Sequence, residues 1–374
     1  MERSHVGDTH ILNDRYRLLE RVGSGGMAAV YKSEDLILGR IVAIKLLHPS
    51  LTHDETFLTR FQKEAHAAAN LTHPNIVTIH DIGQDGDRYY IVMEYVDGPT
   101  LKQIIREQNA AGATLPISRS LDLMIQICAG VGFAHRSGLV HCDIKPHNML
   151  VSHDDHVKVA DFGIARAMTE ATITSQDQVW GTPQYFSPEQ AAGRSPKPAS
   201  DVYSLGVILF EMLTGRLPFE TESHTAVAIK HLQELPPSVV EFNPAVPTQL
   251  DQIVQKVLSK EPAQRYRTAG QFGRILQSYR VHSLDNSDDV TAPVVIAAAQ
   301  IAAPGEAETV DFQRSPEQHS NADYMSPAIV PDSAETDAEN NMSTNWVAIL
   351  LGVIAFIALI GLIPLWYAVF LAWQ

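Results

Sequence analysis

Apolar and polar residues alternate over residues 16–22, and a glycine cluster follows before residues 30–34 resume the alternation. A period of two puts successive side chains on opposite faces, so this pattern predicts a β-hairpin. Residues 41–47 predict a third strand, and residues 78–82 and 89–95 two more, with an Ala- and charge-rich helix over 57–71 between them. From Leu101 onward the period changes. Residues 121–137, 201–214 and 268–280 carry apolar side chains three and four apart, the spacing of one helix face. Short strands at 149–152 and 157–159 are the exceptions. A β-rich front and an α-rich back predict an α+β body of two lobes, about 14–95 and about 97–280, with a cleft near residues 94–100. No internal repeat is evident.

Beyond this body the pattern is different. Residues 346–373 run without a charged side chain, roughly 42 Å of helix at about 1.5 Å per residue. That exceeds the ~30 Å hydrocarbon core of a bilayer, so a transmembrane helix is expected there, kinked at Pro364. The first fourteen residues lack the apolar core of a secretory signal peptide. With no Lys or Arg beside the span to set orientation, this absence is what places the globular body on the cytoplasmic side of a single-pass inner-membrane protein.

Charge sharpens the division. The chain carries 28 basic and 43 acidic residues, net −15. Twelve acids against the single Arg314 place −11 of this in residues 281–345, which read as a disordered, self-repelling linker. The remaining −4 over residues 1–280 supplies no basic surface for phosphate backbones, so nucleic acid is not an expected partner. Two cysteines, Cys128 and Cys142, exclude a disulfide framework and suit a reducing compartment. The histidines His135, His141, His153 and His156 fall on different elements without ligands at zinc spacing.

Candidate chemistry lies in three stretches. Gly23-Ser24-Gly25-Gly26 occupies the first hairpin turn, where missing side chains let backbone N–H groups approach phosphates; a tight turn alone would look the same. Lys45 ends Val42-Ala43-Ile44-Lys45 on the third strand, and Glu64 follows nineteen residues later on the helix. An inward-facing ammonium needs an anion, either phosphate or an ordinary carboxylate partner. His141-Cys142-Asp143-Ile144-Lys145-Pro146-His147-Asn148 and Asp161-Phe162-Gly163 then set carboxylates, an amide and a lysine on two loops joined by short strands. Asp161 and Asn148 are hard oxygen donors suited to Mg²⁺. Asp143 can accept the proton of an attacking hydroxyl, and Lys145 can neutralise a transferring phosphoryl group.

These stretches, with GTPQYFSPEQ, DVYSLG and the late EPAQRY, resemble in order and spacing the eukaryotic-like Ser/Thr protein kinases, most closely their bacterial membrane-anchored branch, over residues 14–280. The resemblance implies a two-lobed kinase fold using ATP with Mg²⁺, for which Mn²⁺ can substitute, and protein Ser/Thr hydroxyls as acceptors. ATP phosphates are expected on Gly23, Ser24, Gly25, Gly26 and Lys45, and adenine on the backbone of Glu94 and Val96 beside Met93, between Val22, Val30, Ala43 and Leu150. Lys45 would pair with Glu64, and Glu189 with Arg265. Thr182 matches the Ser/Thr-specific docking segment, and Thr172 and Thr174 the autophosphorylation sites.

Two departures stand out. Ala28 replaces the third loop glycine, and Cys142 replaces the Arg that normally pairs with a phosphorylated loop, leaving Arg60 and Arg166 at the other basic positions. The resemblance also implies an N-lobe homodimer. Thr309 among linker acids resembles acceptors whose phosphothreonines recruit forkhead-associated domains. The alternative of a silent pseudokinase scaffold at the membrane is opposed by the intact Lys45, Glu64, Asp143, Asn148 and Asp161. A small-molecule phosphotransferase is opposed by the peptide-docking segment from Thr182 to Glu189.

Overall fold

Strands β1 (Ile11–Leu12), β2 (Tyr16–Ser24), β3 (Ala28–Asp35), β4 (Arg40–Leu47), β5 (Ile79–Asp85) and β6 (Arg88–Glu94) form one antiparallel sheet in the order β1-β2-β3-β4-β6-β5. The computed structural model describes residues 10–162 and 183–285, apart from residues 53 and 222, and for Thr56, Arg60, Glu64 and residues 283–285 only the backbone. All of them belong to the chain unit Met1–Val295. Thr172, Thr174, Thr182, Arg166, Thr309, residues 286–345 of the expected linker and the apolar stretch 346–373 therefore lie outside the described residues, whereas residues 281–285, expected to open the linker, continue a helix that starts at Ala269.

The alternation on β4 sorts its side chains between two environments. Val42 and Ile44 are wholly buried with Tyr16, Leu18 and Tyr90 on one face, while Ala43 joins Val77 and Met93 on the other. Lys45 shares the Ala43 face by the two-residue period. Its register with Val30 and Ile91 centres it in the sheet. The helix α1 (Glu55–Ala69) starts two residues before its apolar pattern does, because Asp54 caps it by accepting from the Phe57 N–H at 3.0 Å. Such a cap contributes about 1 kcal/mol. Phe57, Phe61 and Ala65 then pack against Leu47 and Ile91.

The second lobe is helical: α2 (Leu101–Ala110), α3 (Ile117–Arg136), α4 (Pro188–Ala191), α5 (Pro198–Thr214), α6 (His224–Gln233), α7 (Val239–Phe242), α8 (Thr248–Val257) and α9 (Ala269–Asp285). Every residue of α5 from Ser200 to Thr214 is buried, so it is the central post around which α3, α8 and α9 pack. Among the described residues α3 alone has the length and hydropathy to cross a membrane. Its Leu121, Leu123, Met124, Ile127 and Val131 are at most 4 % exposed within the lobe, which makes it a core helix. The hairpin β7 (Met149–Val151) and β8 (Val157–Val159) lies beneath the cleft.

The segment joining the lobes runs hard against β7. Val151 N–H donates to the Pro99 carbonyl at 2.9 Å, and a Cβ on Gly98 would stand 2.0 Å from the Val151 carbonyl oxygen. Only glycine permits that approach.

Candidate active site

The cleft brings together residues separated by more than a hundred positions. Lys45 Nζ donates to Asp161 Oδ1 at 2.7 Å. Asp161 adopts a left-handed backbone with φ of 62°, and the following Phe162 is buried with its ring 4.6 Å from that of His141. Desolvation pushes the Asp161 carboxyl up, but the Lys45 ammonium, with His141 and Lys145 behind it, outweighs that and holds its pKa below the ordinary carboxylate value. The pairing of Lys45 with Asp161 was not expected from the sequence; the Glu64 side chain, the expected carboxylate partner of Lys45, is not among those described.

Beside the Lys45–Asp161 pair, with its backbone carbonyl accepting from the Ala160 N–H at 2.9 Å, Asn148 donates from Nδ2 to the Asp143 carbonyl at 2.9 Å and to Asp143 Oδ2 at 3.2 Å. Lys145 Nζ lies 2.7 Å from the same Oδ2. Both bonds fall on one carboxylate oxygen, which leaves Oδ1 for an incoming hydroxyl. The bonds from Nδ2 also fix the amide so that the Asn148 oxygen remains a donor for a cation. With the Asp161 carboxylate it makes a hard-oxygen set that fits Mg²⁺ shared with substrate phosphates. Among the described residues no group of three His, Cys, Asp or Glu could hold a metal by itself.

Asp201, at the start of α5, holds this loop from below. Its carboxylate accepts from the backbone N–H of His141 at 2.8 Å and of Cys142 at 2.9 Å, and faces His135 Nε2 at 2.8 Å. All three donors converge on a side chain 2 % exposed, so the charge is compensated where it is buried. This explains how Cys142 is kept at φ of 68°. Spacing alone gives the aspartate of DVYSLG no role; the available signal is an acid in the first turn of a largely apolar helix.

The end of the cleft where adenine is expected is apolar. Ala43, Val77 and Met93 form a cluster against which Val30, Val96 and Leu150 pack, whereas Val22 is 49 % exposed. Behind Met93 a small cavity of about 20 Å³ is lined by Ile91, Asp161 and Phe162. The Glu94 carboxylate is occupied by Lys158 at 2.8 Å, so only its backbone is offered to a base. Gly23 and Ser24 pair with Val30 and Ala29, and the turn is closed by Gly25 N–H to the Ala28 carbonyl at 3.0 Å. Gly26 completes the same turn. His48 Nε2 donates to the Gly25 carbonyl at 3.0 Å, a contact the sequence did not suggest.

Below the cleft, Arg265 makes a bidentate pair with Glu189 at 2.9 and 3.0 Å and donates to the Ser259, Lys260 and Ala199 carbonyls. Desolvation raises the Glu189 carboxyl, but Arg265 and Ser200 outweigh it and lower its pKa. Tyr185 donates to Glu211 at 2.7 Å, and Lys102 pairs with the same carboxylate. Neither Lys102 nor Glu211 was singled out in the sequence, because their partnership spans α2 and α5.

Comparison with known proteins agrees with this geometry. The chain is 48 % identical over 258 residues to serine/threonine-protein kinase PrkC of Bacillus subtilis, covering 69 % of this chain and 39 % of that protein. It is 39 % identical over 349 residues to serine/threonine-protein kinase PknB of Mycobacterium tuberculosis, covering 91 % and 53 %. The chain thus spans about half or less of these relatives' length. The crystal structure of the M. tuberculosis PknI kinase domain superposes with a TM-score of 0.58 at 26 % identity, covering 72 % of this chain and 98 % of that one. With the protein kinase domain model matching residues 16–275, the chain belongs to the protein kinase family.

Proposed function

We propose that this chain is an ATP- and Mg²⁺-dependent Ser/Thr protein kinase, held at the membrane by residues 346–373 with its catalytic lobes in the cytoplasm. The observation that carries the reading is the convergence of Lys45, Asp161, Asn148, Asp143 and Lys145 on one cleft floor. Magnesium on Asp161 and Asn148 would neutralise and orient the ATP phosphates. Lys45 binds the phosphates from the sheet side. Asp143 orients the acceptor hydroxyl and takes its proton, while Lys145 offsets charge on the transferring group. The γ-phosphorus–oxygen bond to ADP breaks as the bond to the Ser or Thr oxygen forms.

Regulation would act through Thr172 and Thr174, with Thr182 shaping the docking segment. Exposed Leu19, Ile37, Leu38 and Ile41 on the sheet lobe offer an apolar surface for a second copy of the chain. Protein substrates are the expected partners, and phosphorylated Thr309 would suit a forkhead-associated domain.

Two measurements test this reading. Wild-type protein should transfer ³²P from ATP to itself and to a Thr-containing protein, and Asp143→Asn should lose about 10²-fold or more of that rate; equal rates would refute the assignment. The full chain should stay with membranes after a high-salt wash, and a chain ending at Asn340 should not. Continued sedimentation of the shortened chain would remove the membrane role of 346–373.

A further inference from the structure

The stretch that follows Pro183 is tied down at two places. At its far end Glu189 is held by Arg265. Near its start the Gln184 carbonyl lies 3.0 Å from Nε2 of His231, a wholly buried residue of α6. The other ring nitrogen, Nδ1, lies 2.9 Å from the Tyr203 hydroxyl. A carbonyl can only accept, so Nε2 carries the hydrogen, and Nδ1 accepts from Tyr203. Burial, with the Lys260 ammonium adding to it, pushes the His231 pKa down to about 4, which keeps this neutral tautomer in place.

The surroundings make the contact rigid. The Phe219 ring stands edge-on to His231 at 5.0 Å. Lys260 donates to the His231 carbonyl at 2.9 Å and to that of Lys230 at 3.3 Å, pinning the end of α6. The Arg265 guanidinium lies 4.8 Å over the Tyr203 ring, so the two fastenings share a neighbour. Within the same stretch Gln190 Nε2 reaches the Cys142 carbonyl at 2.7 Å, which connects the path of this loop to the residue beside Asp143. None of the partners of His231 belongs to the nucleotide-lining cluster around Ala43 and Met93.

We propose that His231 is a positioning residue for the protein substrate: by fixing the Gln184 carbonyl it sets the loop on which the acceptor peptide lies before Asp143, without acting on ATP. The inference rests on the protein-kinase reading. A buried histidine that served stability alone would, when replaced, lower activity toward both substrates together.

The test uses the full chain and a Thr-containing peptide that the wild type phosphorylates. His231→Phe keeps an aromatic ring and loses both hydrogen bonds; His231→Gln keeps an N–H donor for Gln184. Loss of one such bond should raise the peptide KM about five- to tenfold. The KM for ATP, and ATP hydrolysis without peptide, should stay within about twofold, and His231→Gln should recover most of the peptide affinity. An unchanged peptide KM in His231→Phe, equal losses on peptide and ATP, or no recovery by His231→Gln overturns the proposal. Should His231→Phe fail to fold, His231→Leu decides: it is smaller and donates nothing to Gln184, so the peptide KM should rise and the ATP KM should not, and an unchanged peptide KM again overturns it. A wild type that transfers phosphate to no peptide would refute the kinase reading itself, before any variant is compared.

Discussion

The Lys45 ammonium and the Asp161 carboxylate, 116 positions apart, meet at 2.7 Å across the cleft. The pair joins the sheet lobe to the loop that carries the carboxylate proposed to hold Mg²⁺. Lys45→Met should abolish autophosphorylation, a loss of about 10²-fold or more, because the fixed positive charge at the phosphates is gone. It should also leave a signature in stability. Asp161 is ionised more readily in the folded chain than in the unfolded one, so its contribution is present above the unfolded carboxylate pKa and fades as pH falls through the folded value. The stability gap between wild type and Lys45→Met should therefore be widest near neutrality and close on acidification, as thermal melts at several pH values would show.

The Arg265 and Glu189 side chains are 0 % and 8 % exposed. Breaking a buried pair by removing one partner leaves the other charge uncompensated, at a cost of about 3–5 kcal/mol. Arg265→Leu should lower Tm by several degrees and reduce peptide phosphorylation more than ATP binding. Denaturant melts and nucleotide titration separate the two effects. A melting curve matching the wild type would contradict this.

Gly98→Ala places a methyl group against the Val151 carbonyl, a backbone atom that cannot swing aside. The expected cost exceeds about 1 kcal/mol. Because the joining segment must shift, ATP affinity should fall together with stability.

Control by the loop threonines should be partial. The Cys142 backbone is fastened by Asp201 on one side and Gln190 on the other, and neither belongs to residues 163–182. Thr172→Ala/Thr174→Ala should therefore lower activity yet leave a measurable fraction. Cys142→Arg should make activity more dependent on phosphorylation, since a guanidinium adds a phosphate partner. Kinetics before and after phosphatase treatment check both, and complete silence of the double alanine variant would contradict the first.

Much of this architecture was legible where periodicity is strong. The hairpin flanking Gly23–Gly26, the Lys45 strand and the helices at 121–137, 201–214 and 268–280 fall on β2–β4, α3, α5 and α9. Strand β1 was missed because two residues carry no period. Strand β5 extends to Asp85, beyond the predicted 82, because Gly83, Gln84 and Asp85 pair with Tyr90, Tyr89 and Arg88 through backbone groups whatever their side chains. The motif residues of the site could be named from their order, but their partners could not. Lys102 with Glu211, and His231 with Gln184, are meetings of distant segments that neither spacing nor composition records.

Asp201 has a consequence for motion. The catalytic loop is bonded directly to the buried central helix, whereas Lys45 reaches Asp161 from a sheet tied to the helical lobe through Asn75 and Val77, bonded to β8, and Pro99, bonded to β7. The acceptor half of the machinery is thus anchored in the core of the helical lobe, and the response to nucleotide is expected to fall on the sheet half. In hydrogen exchange, the amides of His141 and Cys142 should open only with global unfolding of the helical lobe, while those around Gly23–Gly26 and Lys45 should slow when nucleotide arrives.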